Sequence, residues 1–236
     1  PRMKKRGWPF TVFVATDGVD RRFKAYMSWQ QMREMQAHGV SFENHSASHD
    51  YLIRRLAGEN EAQWQSRITA DIKRAQRRIH EELGTEPSLF AYPYGEYNST
   101  VANIVVQLGL AAFGQQSGPV GLGADTRALP RFPMAEAFAG IDGFRDKVRA
   151  LPLPVASAEP RSPTGAPRRP ELEITLSGIL PNPEQLACYA SGQGRTEVRW
   201  SDDGRRVTTQ AKSPFAPGRM RYNCTAPSEI PGRYYW

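Results

Sequence analysis

From Trp8 to about Pro154 the chain alternates between two kinds of hydrophobic pattern. Short continuous apolar runs, rich in β-branched and aromatic residues, are what a parallel strand buried on both faces requires. PFTVFVA (Pro9–Ala15) is one such run, VSFEN (Val40–Asn44) the next strand, SLFAY (Ser88–Tyr92) a third and AAFG (Ala111–Gly114) a short fourth. The stretches between them carry apolar residues at helical spacing. In the first, Ser28 and Gln31 make a capping box, Met32 and Met35 share a face and Gly39 stops the helix. The longest, from about Glu59 to Leu83, places Trp64, Ile68, Ile72, Ile79 and Leu83 on one stripe, with Gly84 after it. Further helices are predicted near Ser99–Leu108 and, beyond RALPRF (Arg127–Phe132), near Ile141–Leu151.

Strands alternating with helices predict an α/β unit over residues 1–152, a parallel sheet or barrel with its helices outside. The pattern then changes. Residues 153–170 are rich in Pro, Ala and Ser and read as a semi-extended linker without a core. From 171 to 236, ELEITLSG, QLACYAS, TEVRWS, RRVTTQ and MRYNCTA are short alternating strands separated by turn residues, which predicts a small all-β sandwich. Cys188, Trp200 and Cys224 fall in the order Cys, Trp, Cys, and Tyr222 lies two residues before the second Cys. That order matches the disulfide, packed Trp and tyrosine corner of an immunoglobulin-like domain.

Two polar clusters directly follow strands: NHSASHD (Asn44–Asp50) and YPYGEY (Tyr92–Tyr97). In parallel α/β folds that end of the strands is where active sites are built. His45 and His49 can converge on one ion if their segment is a helical turn, because positions four apart share a face. Imidazole suits Zn²⁺, and a catalytic zinc needs three protein ligands and an open position for water. The alternative is one surface histidine and one helix cap. In the second cluster Tyr92 and Tyr94 flank Pro93, and Gly95 permits close backbone approach. Aromatic faces there suit a sugar, and the Tyr94 N–H could meet an oxyanion; the alternative is an ordinary turn. His38, at the end of its helix, and His80, off the apolar stripe, read as structural.

Composition narrows the partners. The net charge of +7 is spread over both halves of the 236 residues, and KKR (Lys4–Arg6) is too short for a polybasic arm. A nucleic-acid partner needs a clustered basic stripe, so none is expected. No apolar run reaches the length of a membrane span and no signal peptide is visible, so the chain is not expected to be transmembrane. The two cysteines fit neither a zinc cluster nor a redox pair; as a disulfide they favour an exported, periplasmic or extracellular protein.

The run WPFTVFVATDGVD, then MSWQQMREMQAHGVSFE, then NHSASH and finally FAYPYG resembles the polysaccharide deacetylase family, the NodB-homology or carbohydrate esterase family 4 fold, over about Met3 to Arg131. The resemblance implies a distorted (β/α) barrel and metal-dependent N-deacetylation of an acetylated amino-sugar polymer. Zn²⁺, or another divalent metal, would be held by two His and one Asp, with a second Asp as general base. Carried over, His45 and His49 are metal ligands and Tyr94 supplies the oxyanion N–H. Tyr92 and Pro93 face substrate, and Arg131, in LPRFPM, takes a polar role there. The aromatic before Pro93 is similar to the branch that deacetylates exported poly-N-acetylglucosamine. The family's Thr-Phe-Asp-Asp-Gly motif is expected before Pro1, since ATDGVD (Ala15–Asp20) follows the family's second strand and Asp17 is not its equivalent. The late Leu-x-His motif is also missing, no His following His80. Three functions remain in view: the deacetylase, a catalytically inactive carbohydrate-binding or scaffold protein of the cell envelope, and a β-sandwich that docks to a partner with the α/β unit as its holder.

Overall fold

A computed structural model of the chain describes residues 2–135, 138–161, 168–216 and 220–236. The chain forms two compact units, one comprising residues up to Gln115 with Asp125–Leu129, the other Gln116–Ala124 with Pro130–Trp236.

In the first unit a short helix α1 (Arg2–Lys5) precedes strand β1 (Phe10–Val14), helix α2 (Thr16–Asp20) and helix α3 (Trp29–Gln36). Strand β2 (Val40–Asn44), helix α4 (Glu61–Leu83), strand β3 (Leu89–Ala91), helix α5 (Ser99–Gln107) and strand β4 (Ala111–Phe113) follow. The strands are all parallel and lie in the order β1-β2-β3-β4, the arrangement that successive right-handed βα crossovers produce. Ser28 and Gln31 make the capping box of α3 as predicted. Asn60 and Gln63 make another at α4, and Gly84 ends α4 in the left-handed region at φ 68°.

Alternate residues of each strand face the helices. Trp64, Ile68 and Ile72 of α4 pack with Phe90 of β3, Ala112 of β4 and Val101 and Val105 of α5. Ile79 and Leu83 pack with Val14 of β1, Phe42 of β2 and Met32 of α3. The opposite face is concave. Phe13 of β1 and Phe113 of β4 meet edge to face with ring centroids 5.7 Å apart. Three inter-strand spacings in a flat sheet would separate those strands by about 14 Å. The sheet is therefore strongly curled. Among the described residues β1 does not pair with β4, so the expected barrel is an open arc.

The second unit holds helix α6 (Ile141–Arg149) and strands β5 (Val155–Arg161), β6 (Glu171–Leu176), β7 (Ala187–Ala190), β8 (Gly194–Thr196), β9 (Val198–Trp200), β10 (Arg206–Gln210), β11 (Tyr222–Pro227) and β12 (Tyr234–Tyr235). They form two antiparallel sheets, β5-β6-β10-β9 and β12-β11-β7-β8. Ile174, Leu176 and Val207 of one sheet share a core with Cys188, Cys224 and Ala226 of the other.

Three expectations change here. First, part of the stretch expected as a linker is strand β5, paired antiparallel with β6. An edge strand tolerates Pro160, which has no N–H to offer a further neighbour. Second, the chain divides near residue 115 and not near 152: Leu151 and Leu153 exchange backbone hydrogen bonds with Tyr234 and Trp236. Third, the Cys188–Cys224 disulfide joins directly opposed residues of neighbouring strands β7 and β11 in one sheet. The immunoglobulin disulfide instead crosses between sheets. Trp200 does pack against the core that holds both cysteines. The Tyr222 hydroxyl donates to the Pro170 carbonyl at 2.6 Å and accepts from the Ala211 N–H at 2.8 Å, tying two backbone segments together.

Candidate functional site

The His loop leaves the C-terminal end of β2, as predicted, but it is not helical. Ser46 and His49 both adopt left-handed backbone, with φ of 63° and 60°. For residues other than Gly this conformation persists only where surrounding bonds hold it. Asn44, fully buried, supplies two of them. Its amide donates to the Ile72 carbonyl of α4 at 3.0 Å, and its Oδ1 accepts the Ser46 N–H at 2.8 Å. The Ser46 hydroxyl accepts the His49 N–H at 2.9 Å. The carboxylate of Asp71, also on α4, accepts the N–H groups of Ala47 at 3.1 Å and Ser48 at 3.2 Å.

These bonds bring the two imidazoles together. The His45 and His49 rings lie edge to face, centroids 4.8 Å apart. They meet through two left-handed residues, correcting the expectation of a shared helical face. His45 Nδ1 lies 2.6 Å from the Ala91 carbonyl oxygen at the end of β3. A carbonyl only accepts, so Nδ1 carries the proton and the lone pair is on Nε2. A backbone carbonyl behind one ring nitrogen is the usual way a metal-binding imidazole is oriented. Among the described residues no group of three or more His, Cys, Asp or Glu that could hold a metal ion forms.

The second loop adjoins the first. Tyr94, at the centre of a single 3-10 turn, has φ 57°, and Gly95 closes the turn on the Tyr92 carbonyl at 2.9 Å. Its half-exposed ring touches His49 edge to face at 4.8 Å and stacks on Tyr51 at 3.9 Å. The Arg54 guanidinium lies 3.4 Å from the centre of the Tyr51 ring. Arg54, Tyr51 and Tyr94 thus form a column beside the His pair, with the cation on one face of Tyr51 and the Tyr94 ring on the other.

The other predicted residues behave differently. Tyr92 is fully buried: its hydroxyl donates to the Arg127 carbonyl at 2.7 Å and its ring packs on Phe90 and Tyr97. Burial raises its phenol well above the usual range. Pro93 is buried as well. Both are corrected from substrate contacts to supports of the turn that carries Tyr94. Arg131 falls in the second unit, its N–H bonded to the Gln116 carbonyl at 3.0 Å. His80 pairs with Glu86 at 3.0 Å and is largely exposed, consistent with a structural role.

Asp71 was missed by the sequence reading, although a signal was present. It sits on the stripe of α4 between Ile68 and Ile72, and an acidic residue on an apolar stripe must find a partner or pay for desolvation. Tyr51 and Arg54 had no comparable signal, because their stacking depends on how the loop turns.

Comparison with known proteins bears on the first unit. The family model for polysaccharide deacetylase matches residues 1–113. YxkH of Bacillus subtilis (strain 168), named as a candidate polysaccharide deacetylase, is 30% identical over 98 residues, 42% of this chain and 32% of that protein. Among solved structures, the Streptococcus pyogenes deacetylase PplD in complex with acetate aligns with a TM-score of 0.50 at 24% identity, covering 55% of this chain and 54% of that one. IcaB from Ammonifex degensii aligns with a TM-score of 0.50 at 25% identity, covering 58% and 60%. A de-N-acetylase from Aggregatibacter actinomycetemcomitans aligns with 0.51 at 20% identity, covering 61% and 68%. The chain therefore spans about a third of the curated relative and just over half of PplD. Over residues 1–113, where the His loop and the Tyr94 turn both lie, the chain is similar to the polysaccharide deacetylase family.

Proposed function

We propose that this protein hydrolyses N-acetyl groups from an acetylated amino-sugar polysaccharide in a metal-dependent reaction, poly-N-acetylglucosamine being the polymer suggested by the aromatic residue before Pro93. One observation carries the reading. His45 and His49 are held with their rings 4.8 Å apart, and the His45 tautomer is set by the Ala91 carbonyl. This donor chemistry fits a borderline divalent ion such as Zn²⁺, with the two imidazoles as two of its ligands. When bound, such an ion supplies Lewis-acid polarisation of the acetamide and a water of lowered pKa.

The chain's own residues do the rest. The Ala91 carbonyl keeps the proton of His45 on Nδ1, so that Nε2 is the donor atom. The main-chain N–H of Tyr94, in a turn braced by buried Tyr92 and Pro93, is assigned to the acetamide oxygen as negative charge develops on it. The Tyr51–Tyr94 stack offers an apolar face to a pyranose ring, and Arg54 closes its far end. The reaction adds water across the amide, releasing acetate and leaving a free amine on the sugar. The disulfide suits an oxidising compartment, and export to the periplasm or cell exterior is part of the reading. No helix of the described residues is long and apolar enough to cross a membrane.

The test is acetate release from N-acetylglucosamine oligomers with Zn²⁺ supplied, together with elemental analysis of the purified protein. His45→Ala and His49→Ala are each expected to abolish activity. A double variant that retains metal would sink the ligand assignment.

A further inference from the structure

We infer that Asp71 is a positioning residue for the His pair, acting through a closed ring of bonds around the peptide units of Ala47. The inference rests on His45 and His49 being the metal ligands. Ala47 is the midpoint of the His45–His49 segment and is fully buried. Its N–H donates to Asp71 Oδ2 at 3.1 Å. Its carbonyl accepts the Asp17 N–H of α2 at 3.0 Å. Arg74, one turn along α4 from Asp71, joins the two sides: the same Nη2 donates to Asp71 Oδ1 at 2.9 Å and to Asp17 Oδ2 at 3.0 Å. The ring therefore runs from Ala47 through Asp71, Arg74 and Asp17 back to Ala47.

The placement of the ring gives it this role. A loop with two left-handed residues other than Gly has other accessible conformations, and each would turn the imidazoles differently. Fixing both the N–H and the carbonyl of the central residue removes them. Asp71 also accepts the Ser48 N–H, so consecutive peptide units are held by one carboxylate. Asp71 is nearly buried while Arg74 is half exposed, so the ring is anchored in the core and closed at the surface. Groups that orient metal ligands change metal affinity by about ten- to a hundredfold when removed.

The experiment titrates Zn²⁺ into the whole protein and follows the imidazole nitrogen resonances, a readout that needs no turnover. If His45→Ala leaves the Zn²⁺ affinity unchanged, the ligand reading fails and this inference with it. With the ligands upheld, Asp71→Asn is decisive. It keeps the volume but sets an amide NH₂ against one of the two N–H donors. It is expected to weaken Zn²⁺ binding about ten- to a hundredfold with helical content retained. Ile79→Ala, on the same helix but in the other core cluster, controls for lost stability and is expected to leave the affinity unchanged. Weakening by Asp71→Asn no greater than that by Ile79→Ala overturns the inference. Arg74→Gln opens the ring at the surface, where folding tolerates it, with an expected loss of roughly two- to fivefold. If Asp71→Asn fails to fold, Arg74→Gln decides: unchanged affinity overturns the inference.

Discussion

Asn44→Ala tests whether the end of β2 fastens the His loop to α4. In the folded protein the Asn44 amide bridges the Ser46 N–H and the Ile72 carbonyl, and no part of it reaches solvent. Removing the side chain leaves the buried Ser46 N–H without that acceptor, at a cost of about 1–3 kcal/mol. The Ile72 carbonyl loses one of two donors but keeps its bond within α4, a loss of about 1 kcal/mol. The sum is about 3 kcal/mol. For a unit of this size each kcal/mol moves the midpoint by roughly 4 °C, so a fall of about 12 °C is expected. Far-UV circular dichroism suits the measurement, because α3, α4 and α5 all belong to the first unit. Asn44→Asp serves as a second probe. It keeps the acceptor for Ser46 but turns an acceptor toward the Ile72 carbonyl, so at neutral pH it should lose at least as much. A loss below about 1 kcal/mol in both variants would refute the argument that these bonds hold the loop.

Two further predictions concern other parts of the chain. Arg67, hydrogen-bonded to Glu59 at 2.6 and 2.8 Å, holds the Glu59 carboxyl down to about 2 from its ordinary 4.5, with the Leu56 N–H assisting. A lowered folded pKa means that the contribution is complete above about 4.5 and is lost as pH falls toward 2. Glu59→Gln should therefore flatten acid unfolding over that window, and a pH titration of stability that matches the parent protein would count against it. The Cys188–Cys224 bond closes a loop with a sequence separation of 36, which in the chain-entropy account stabilises the second unit by about 4 kcal/mol. Replacing both cysteines by Ser should lower that unit's denaturation midpoint and leave the helical signal of the first unit in place; no change in the midpoint refutes it.

Much of the first unit was legible from its sequence. The strands at Pro9, Val40, Ser88 and Ala111 and the capped helices at Ser28 and Glu59 follow from local patterns that the core enforces. The loop partners were not legible, because they are set by pairs such as Asn44 with Ile72 and Asp71 with Ala47, 24 to 28 residues apart. Tyr92 and Tyr94 show the same limit. Both are aromatic and flank one proline, yet only the left-handed backbone at Tyr94 turns its ring outward while Tyr92 enters the core. In the second half, Val155–Arg161 carries three alanine or serine residues and a proline, a composition that reads as linker until pairing with β6 supplies its order.

The chain leaves the first unit after Gln115 and returns for Asp125–Leu129. That return supplies the Thr126 and Leu129 backbone groups that bond Ala112 and Gly114, and the Arg127 carbonyl that receives the Tyr92 hydroxyl. On the ribosome, the far edge of the sheet and the Tyr92 anchor stay incomplete until residue 129 has emerged, after β4 and the whole 116–124 excursion. A nascent chain arrested with 115 but not 129 outside the exit tunnel should expose Tyr92 to chaperones and proteases, whereas one arrested with 129 outside it should shield Tyr92.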